Sequence, residues 1–99
     1  MTDIATIKQA VSSVVEPYDV REAYLYGSYA RGDQSASSDI DLRFLCGRNI
    51  DFGQLSDIQK QLESALGTPV DIATAPPDQM RRSFYDRIKQ DEVMLYAAV

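Results

Sequence analysis

The sequence predicts one α/β domain in which helices flank a small sheet. Segments with helical periodicity alternate along the chain with short segments rich in strand-forming residues, which is the first sign of this class. The length is the second, since the 99 residues suit a single domain, residues 1–99, that can bury a core. A composition of 44% hydrophobic and 25% charged residues is the third, because it is ordinary for a soluble globular protein.

The first third of the chain predicts a helix, a strand and a short helical turn. Ile and Val recur at helical spacing through residues 3–15, and Thr2 or Asp3 can cap the start of this helix. An aromatic-rich strand is predicted at residues 21–26. Ser28 is the expected N-cap of the turn that follows, and Gly32 is expected to end it.

The remaining two thirds predict two more strands and two longer helices. The strands cover residues 39–46 and 68–74, and the helix between them ends at Gly67. Another long helix is predicted to start near Asp78. The apolar tail, residues 93–99, is expected to form either a short edge strand or a last turn of helix.

Three aspartates interrupt the apolar pattern of the predicted strands. Asp39 and Asp41 are two residues apart, so they lie on one face of their strand, about 6.6 Å apart along it. Asp71 lies in the middle of the third strand, and pairing of the two strands would bring three carboxylates together. Each like-charge pair at roughly 5 Å costs about 3 kcal/mol at an effective dielectric constant near 20. Either protonation or bound cations must then compensate, and oxygen clusters suit Mg²⁺, Mn²⁺ or Ca²⁺.

A glycine-serine pair precedes these acids. Gly27 and Ser28 end a strand and open a helical turn, and the free amides at a helix start can bind phosphate oxygens. Taken alone, the pair is best explained as an ordinary turn, just as an acid pair alone is best explained as a solvated strand face. The combination of such a turn with three acids favours a site for a metal and a phosphate.

Charge and composition exclude several functions. The formal net charge of −5 makes general binding to nucleic acid unexpected, because that affinity depends on Lys and Arg. A local basic patch near the C-terminus is compatible with this charge; its members are Arg81, Arg82, Arg87 and Lys89. The absence of histidine excludes His-based catalysis and most zinc sites.

The sequence predicts a cytoplasmic protein. Its start lacks the basic and apolar regions of a signal peptide, and no apolar run approaches the roughly 20 residues that span a bilayer. The single cysteine, Cys46, cannot form an internal disulfide and is expected to be a small core residue.

Three short motifs resemble the signature of the DNA polymerase β-like nucleotidyltransferase superfamily: Gly27-Ser28, then Ala30-Arg31-Gly32, then Ser38-Asp39-Ile40-Asp41-Leu42. The chain looks most like the minimal nucleotidyltransferases of bacteria and archaea, which are typically encoded beside a HEPN-domain partner as toxin–antitoxin pairs. The resemblance covers nearly the whole chain. It implies a single polymerase β-like domain with a small mixed sheet flanked by helices.

The resemblance also implies roles for the three acids. Asp39 and Asp41 would hold two Mg²⁺ ions and, through them, the nucleoside triphosphate. Asp71 would complete the metal site and help to activate the acceptor hydroxyl. Arg43 continues the row of Asp39 and Asp41, and three roles for it stay open: pairing with an acid, reaching a phosphate, or pointing into water.

The phosphate side of the site is implied in the same way. Gly27 and Ser28 would hold the β- and γ-phosphates of ATP. Arg31 would be a further triphosphate contact because a guanidinium matches phosphate geometry, or else it forms a surface ion pair with Asp33.

The implied activity is transfer of AMP from ATP to a protein hydroxyl, with release of pyrophosphate. The expected acceptor is a tyrosine of a HEPN ribonuclease toxin, so the chain would be an antitoxin in a hetero-oligomer. Two alternatives are an antitoxin that only masks its partner and a nucleotidyltransferase for a small molecule. The C-terminal region, with Arg81, Arg82 and Arg87, is hypothesised to form part of the surface that presents the partner tyrosine to Asp71.

Overall fold

The computed structural model describes residues 2–74 and 91–98. Helices and strands alternate through these residues, which confirms the predicted α/β class. In chain order they are α1 (Ile4–Val15), β1 (Val20–Tyr26), α2 (Ser28–Arg31), β2 (Ile40–Cys46), α3 (Phe52–Leu66), β3 (Val70–Ala73) and β4 (Val93–Ala97). The helix predicted near Asp78 and the basic residues from Arg81 to Lys89 lie outside the described residues.

The four strands form one mixed sheet in the order β3-β2-β1-β4. β1 pairs antiparallel with both β2 and β4, whereas β2 and β3 run parallel. The tail is therefore an edge strand rather than a turn of helix. Leu95 points into the core with 2% of its surface exposed, whereas Met94 is 51% exposed on β4.

One face of the sheet carries the hydrophobic core. The alternation within β2 sends Ile40, Leu42 and Phe44 into this core, where each is at most 1% exposed. The helices α1 and α3 contribute Ile7, Val11, Val15, Ile58 and Leu62. Cys46 is partly buried and packs against the edge of the core, so the prediction that it is a core residue is confirmed only in part. Asp41 and Arg43 consequently point to the opposite face of the sheet.

The helix ends follow local sequence signals. Asp3 caps α1 by accepting a hydrogen bond of 2.8 Å from the Thr6 amide, which selects it over Thr2. The start of α3 is fixed by a capping box between Asp51 and Gln54. Gly67 ends α3 in the left-handed conformation at φ 64°, as predicted. Within the part of the chain that the structure describes, no helix has the length and apolar character needed to cross a membrane.

A buried ion pair connects β2 with the residue that enters β4. Arg43 is only 6% exposed, and its Nε donates to Glu92 Oε2 at 2.5 Å. The guanidinium also lies over the ring of Tyr24, 4.5 Å from its centroid. Of the three roles left open for Arg43, pairing with an acid is the one that the structure contains.

Replacing Glu92 by Gln is expected to lower the free energy of unfolding by about 3 kcal/mol, because it removes the charge of an acid that is paired with the buried Arg43 guanidinium. Urea unfolding of both proteins measures the difference. The matched control is Asp33→Asn, which breaks an exposed ion pair to Arg31 and should cost little. Equal small losses in the two variants would contradict a stabilising role for the Arg43–Glu92 pair.

Candidate active site

The start of α2 is built on a glycine rather than on the predicted serine cap. Gly27 is the N-cap residue, with φ 77° and ψ −155°, a region that is essentially open to glycine alone. Ser28 is the first helical residue, so the prediction that it caps the turn is wrong. Gly32 ends the turn at φ 80° as predicted, with its amide donating to the Ser28 carbonyl oxygen.

Gly27 also lies directly against the Asp41 side chain. A Cβ atom at Gly27 would be 2.4 Å from Asp41 Oδ2, which is much closer than real Cβ contacts come. The amides of Ala30 and Arg31 both donate to the Gly27 carbonyl oxygen. Glycine therefore allows the backbone at the start of α2 to approach the carboxylate of β2, and the turn and the acid form one site.

Two of the three predicted acids lie on adjacent strands, and the third directly precedes one of them. Asp41 and Asp71 are register partners in the parallel β2–β3 pair, and Asp39 directly precedes β2. Asp41 is half-buried, whereas Asp39 and Asp71 are exposed. Burial raises the pKa of Asp41, and the negative charges of Asp71 and Asp39 raise it further. Asp41 is thus the central acid, and the other two carboxylates are near enough to repel it.

This donor set fits Mg²⁺ that arrives with a nucleotide. Within residues 2–74 and 91–98, no three Asp, Glu, Cys or His side chains come close enough to hold a metal ion by themselves. Mg²⁺ is usually bound by one or two carboxylates together with substrate phosphates and waters, rather than by an all-protein cage. The carboxylates of Asp41 and Asp71 are hard oxygen ligands whose mutual repulsion a cation would relieve.

A family sequence profile described as "Polymerase beta, Nucleotidyltransferase" matches residues 8–98. The chain belongs to this nucleotidyltransferase family. A Methanocaldococcus jannaschii relative with the provisional name protein adenylyltransferase is 33% identical over 72 residues, which are 73% of this chain and 77% of the relative. A second relative from that organism, also provisionally named a protein adenylyltransferase, is 26% identical over 102 residues, covering 97% of this chain and 100% of its own length.

Solved structures share the fold of this nucleotidyltransferase. A minimal nucleotidyltransferase superposes with a TM-score of 0.75 at 22% identity, over 93% of this chain and 95% of the other. A toxin–antitoxin structure with AMP-PNP gives a TM-score of 0.73 at 22% identity, over 92% and 73% of the two chains. The Shewanella oneidensis complex of an MNT antitoxin with a tri-AMPylated HEPN toxin gives 0.68 at 18% identity, over 96% and 73%. The expected minimal nucleotidyltransferase fold is confirmed.

The candidate site has a wall that the sequence patterns did not indicate. Tyr26 lies opposite Asp41 in the β1–β2 register and is 8% exposed. Burial, and then the charges of Asp41 and Asp71, raise the pKa of Tyr26 to about 12. The phenol therefore stays protonated at neutral pH beside the acids. One signal in the sequence could have identified Tyr26 as a site residue. It is the last residue of the predicted strand and directly precedes Gly27.

Arg31 forms ion pairs with two acids. Its Nε contacts Asp33 Oδ2 at 3.2 Å, and its Nη1 contacts Asp91 Oδ2 at 3.0 Å. The surface ion pair with Asp33 is the arrangement that the structure contains. Exposed pairs of this kind are weak, so a triphosphate at the start of α2 can compete for the guanidinium.

Proposed function

We propose that this chain transfers AMP from ATP, with Mg²⁺, to a tyrosine hydroxyl of a HEPN toxin and thereby acts as its antitoxin. The observation that carries the proposal is the in-register pair of Asp41 and Asp71, with Gly27 packed against the first of them. The names of the relatives support adenylyl transfer to protein. The Shewanella oneidensis complex with its tri-AMPylated HEPN toxin supports the choice of partner.

The acids bind and orient in this mechanism. Asp39 and Asp41 would hold the metal ions that accompany the triphosphate, and Asp71 would contribute to the same site. When bound, Mg²⁺ supplies charge neutralisation for the triphosphate and for the departing pyrophosphate. Asp71 lies on the edge strand and is exposed, so an acceptor hydroxyl can approach its carboxylate from outside the sheet. The hydroxyl oxygen bonds to the α-phosphorus, the bond to pyrophosphate breaks, and Asp71 takes the hydroxyl proton.

The start of α2 orients the phosphates. The first amides of a helix have no acceptor within it, and at α2 these are the amides of Ser28 and Tyr29. Gly27 presents no side chain, so phosphate oxygens can approach the backbone beside Asp41. Arg31 would exchange Asp33 and Asp91 for the triphosphate. Positioning of the two reactants supplies much of the rate in a transfer of this type.

The proposal is tested with the HEPN-domain protein encoded beside this chain as the probe. Incubation with ATP and Mg²⁺ is expected to make that protein heavier by one or more AMP units and to stop its RNA cleavage. Intact mass and cleavage of a labelled RNA are read from the same samples. The Asp39→Asn variant should bind the toxin yet leave its mass unchanged, because docking does not need the metal ligand.

The control for chemistry is the double variant Asp39→Asn, Asp41→Asn. If it silences the toxin as well as the wild type does, with no mass change in either sample, adenylyl transfer is wrong. Masking of the toxin by binding alone then takes its place.

A further inference from the structure

A cavity of about 220 Å³ opens at the outer edge of the sheet, between α3 and β3. Asp71 and Ile72 line it from β3, and Phe52 and Leu55 line it from α3. Because β3 is an edge strand, residues that face opposite sides of the sheet both reach this cavity. The cavity therefore shares Asp71 with the candidate active site and continues it outwards.

Phe52 is unusually exposed for an aromatic residue. It is the first residue of α3, and 91% of its surface is open to solvent, compared with 51% for Met94 and 37% for Ile4. The capping box of Asp51 and Gln54 fixes the turn that presents it. An exposed aromatic ring held on a fixed turn can pack against an aromatic group of a bound partner.

Phe52 borders two cavities. A second cavity of about 380 Å³, lined by Ile50, Asp51 and Leu55 among others, also borders Phe52. Gln59, at the inner wall of the first cavity, donates from Nε2 to the Val70 carbonyl oxygen at 2.8 Å and so ties α3 to β3. This hydrogen bond holds the α3 wall of the first cavity against β3.

The chemistry of the walls selects the occupant. Among the residues that the structure describes, those with charged side chains that line the two cavities are Asp51 and Asp71, both acids. An anionic acceptor is disfavoured there, whereas a neutral hydroxyl can donate a hydrogen bond to a carboxylate. The apolar part of the wall, from Phe52, Leu55 and Ile72, suits an aromatic ring. A phenol satisfies both requirements.

We propose that this cavity seats the acceptor tyrosine of the partner protein, with its ring against Phe52 and its hydroxyl directed to Asp71. The proposal rests on the proposed function for the reaction itself and adds where the acceptor binds. It places the acceptor at the β3 edge of the sheet. The opposite edge is formed by β4, which carries the exposed Met94.

The test is a titration of isotope-labelled protein with N-acetyl-tyrosinamide, followed by NMR without nucleotide. Signals of Phe52, Leu55 and Ile72 are expected to shift, with a dissociation constant of about 1–10 mM, as befits a ligand of this size. Phe52→Ala should weaken binding about 5- to 10-fold because the aromatic contact is lost. N-acetyl-phenylalaninamide should bind more weakly than the tyrosine probe, since it lacks the hydroxyl.

Met94→Ala is the matched control, because it also removes an exposed apolar side chain but from the opposite edge of the sheet. It should bind the probe like the wild type. Shifts confined to β4, no shifts at about 20 mM probe, or unchanged binding by Phe52→Ala would each overturn the proposal. Since no AMP is transferred in this experiment, probe binding together with an unmodified toxin would overturn the proposed reaction and leave the docking site standing.

Discussion

Asp41→Asn is expected to lower the rate of AMP transfer at least about 10³-fold, the upper range for losing one electrostatic contact in an active site. Asp41 is the half-buried acid that is the register partner of Asp71 in the parallel strand pair, and its carboxylate occupies the space that a Cβ at Gly27 would need. An amide in its place keeps the shape of the side chain but removes the charge that would hold Mg²⁺ and the triphosphate. Pyrophosphate release and toxin mass measure the rate. The stabilisation that Mg²⁺ and ATP together give the wild type in thermal melts should also disappear.

The same variant is expected to stabilise the metal-free protein at neutral pH. Burial and the charges of Asp71 and Asp39 raise the pKa of Asp41 above its ordinary value, so the ionised carboxylate destabilises the folded state. That cost is fully present above the folded pKa and is lost as the pH falls through the folded pKa towards the unfolded one. The melting temperature of Asp41→Asn should therefore exceed that of the wild type at pH 7 in EDTA. The gap should close as the buffer is acidified towards the ordinary pKa of an aspartate.

Asp57→Asn is the matched control for both effects. Asp57 is an exposed acid of α3, so the substitution makes the same change in net charge away from the site. It should leave the transfer rate and the melting temperature nearly unchanged. Retention of activity by Asp41→Asn, or a lower melting temperature than the wild type at neutral pH, would contradict the assigned role of Asp41.

The direction of each side chain in β2 could be predicted from the sequence because it follows from the backbone alone. Successive residues of a strand point to opposite faces, so placing Ile40 and Leu42 in the core places Asp41 and Arg43 on the other side. The same alternation puts Asp71 on the face opposite the buried Val70. That Asp41 and Asp71 are register partners is a long-range property, which depends on how α3 returns the chain to β3.

The features that were missed arise from contacts between distant segments or from competition between neighbours. Arg43 and Glu92 are 49 residues apart, so no local pattern indicates their ion pair. Serine is a common N-cap residue, so the sequence favoured Ser28. Gly27 occupies the N-cap position instead, because glycine tolerates the backbone conformation found there. The exposure of Phe52 depends on where α3 begins relative to the edge of the sheet, which its own sequence does not determine.

Gly27→Ala is expected to reduce AMP transfer about 100-fold and to lower the free energy of unfolding by about 1–3 kcal/mol. The loss of stability arises because an L-residue is strained at φ 77° and ψ −155°. The loss of activity has a separate cause: the new methyl group would lie 2.4 Å from Asp41 Oδ2, so the carboxylate must move. A displacement of this kind misplaces the central acid and fills the approach to the backbone at the start of α2.

Gly67→Ala separates the two effects. Gly67 also has a positive φ, 64°, but a Cβ atom there would meet no other atom within 4 Å, and the residue lies at the far end of α3 from Phe52. This variant should lose about 1–2 kcal/mol of stability through strain alone and transfer AMP at the wild-type rate. Urea unfolding and initial rates of pyrophosphate release, measured on both variants where each is fully folded, give the comparison. If the two variants lose activity in proportion to their stability, Gly27 serves the turn only; a much larger loss of rate for Gly27→Ala assigns it to the contact with Asp41 and the phosphates.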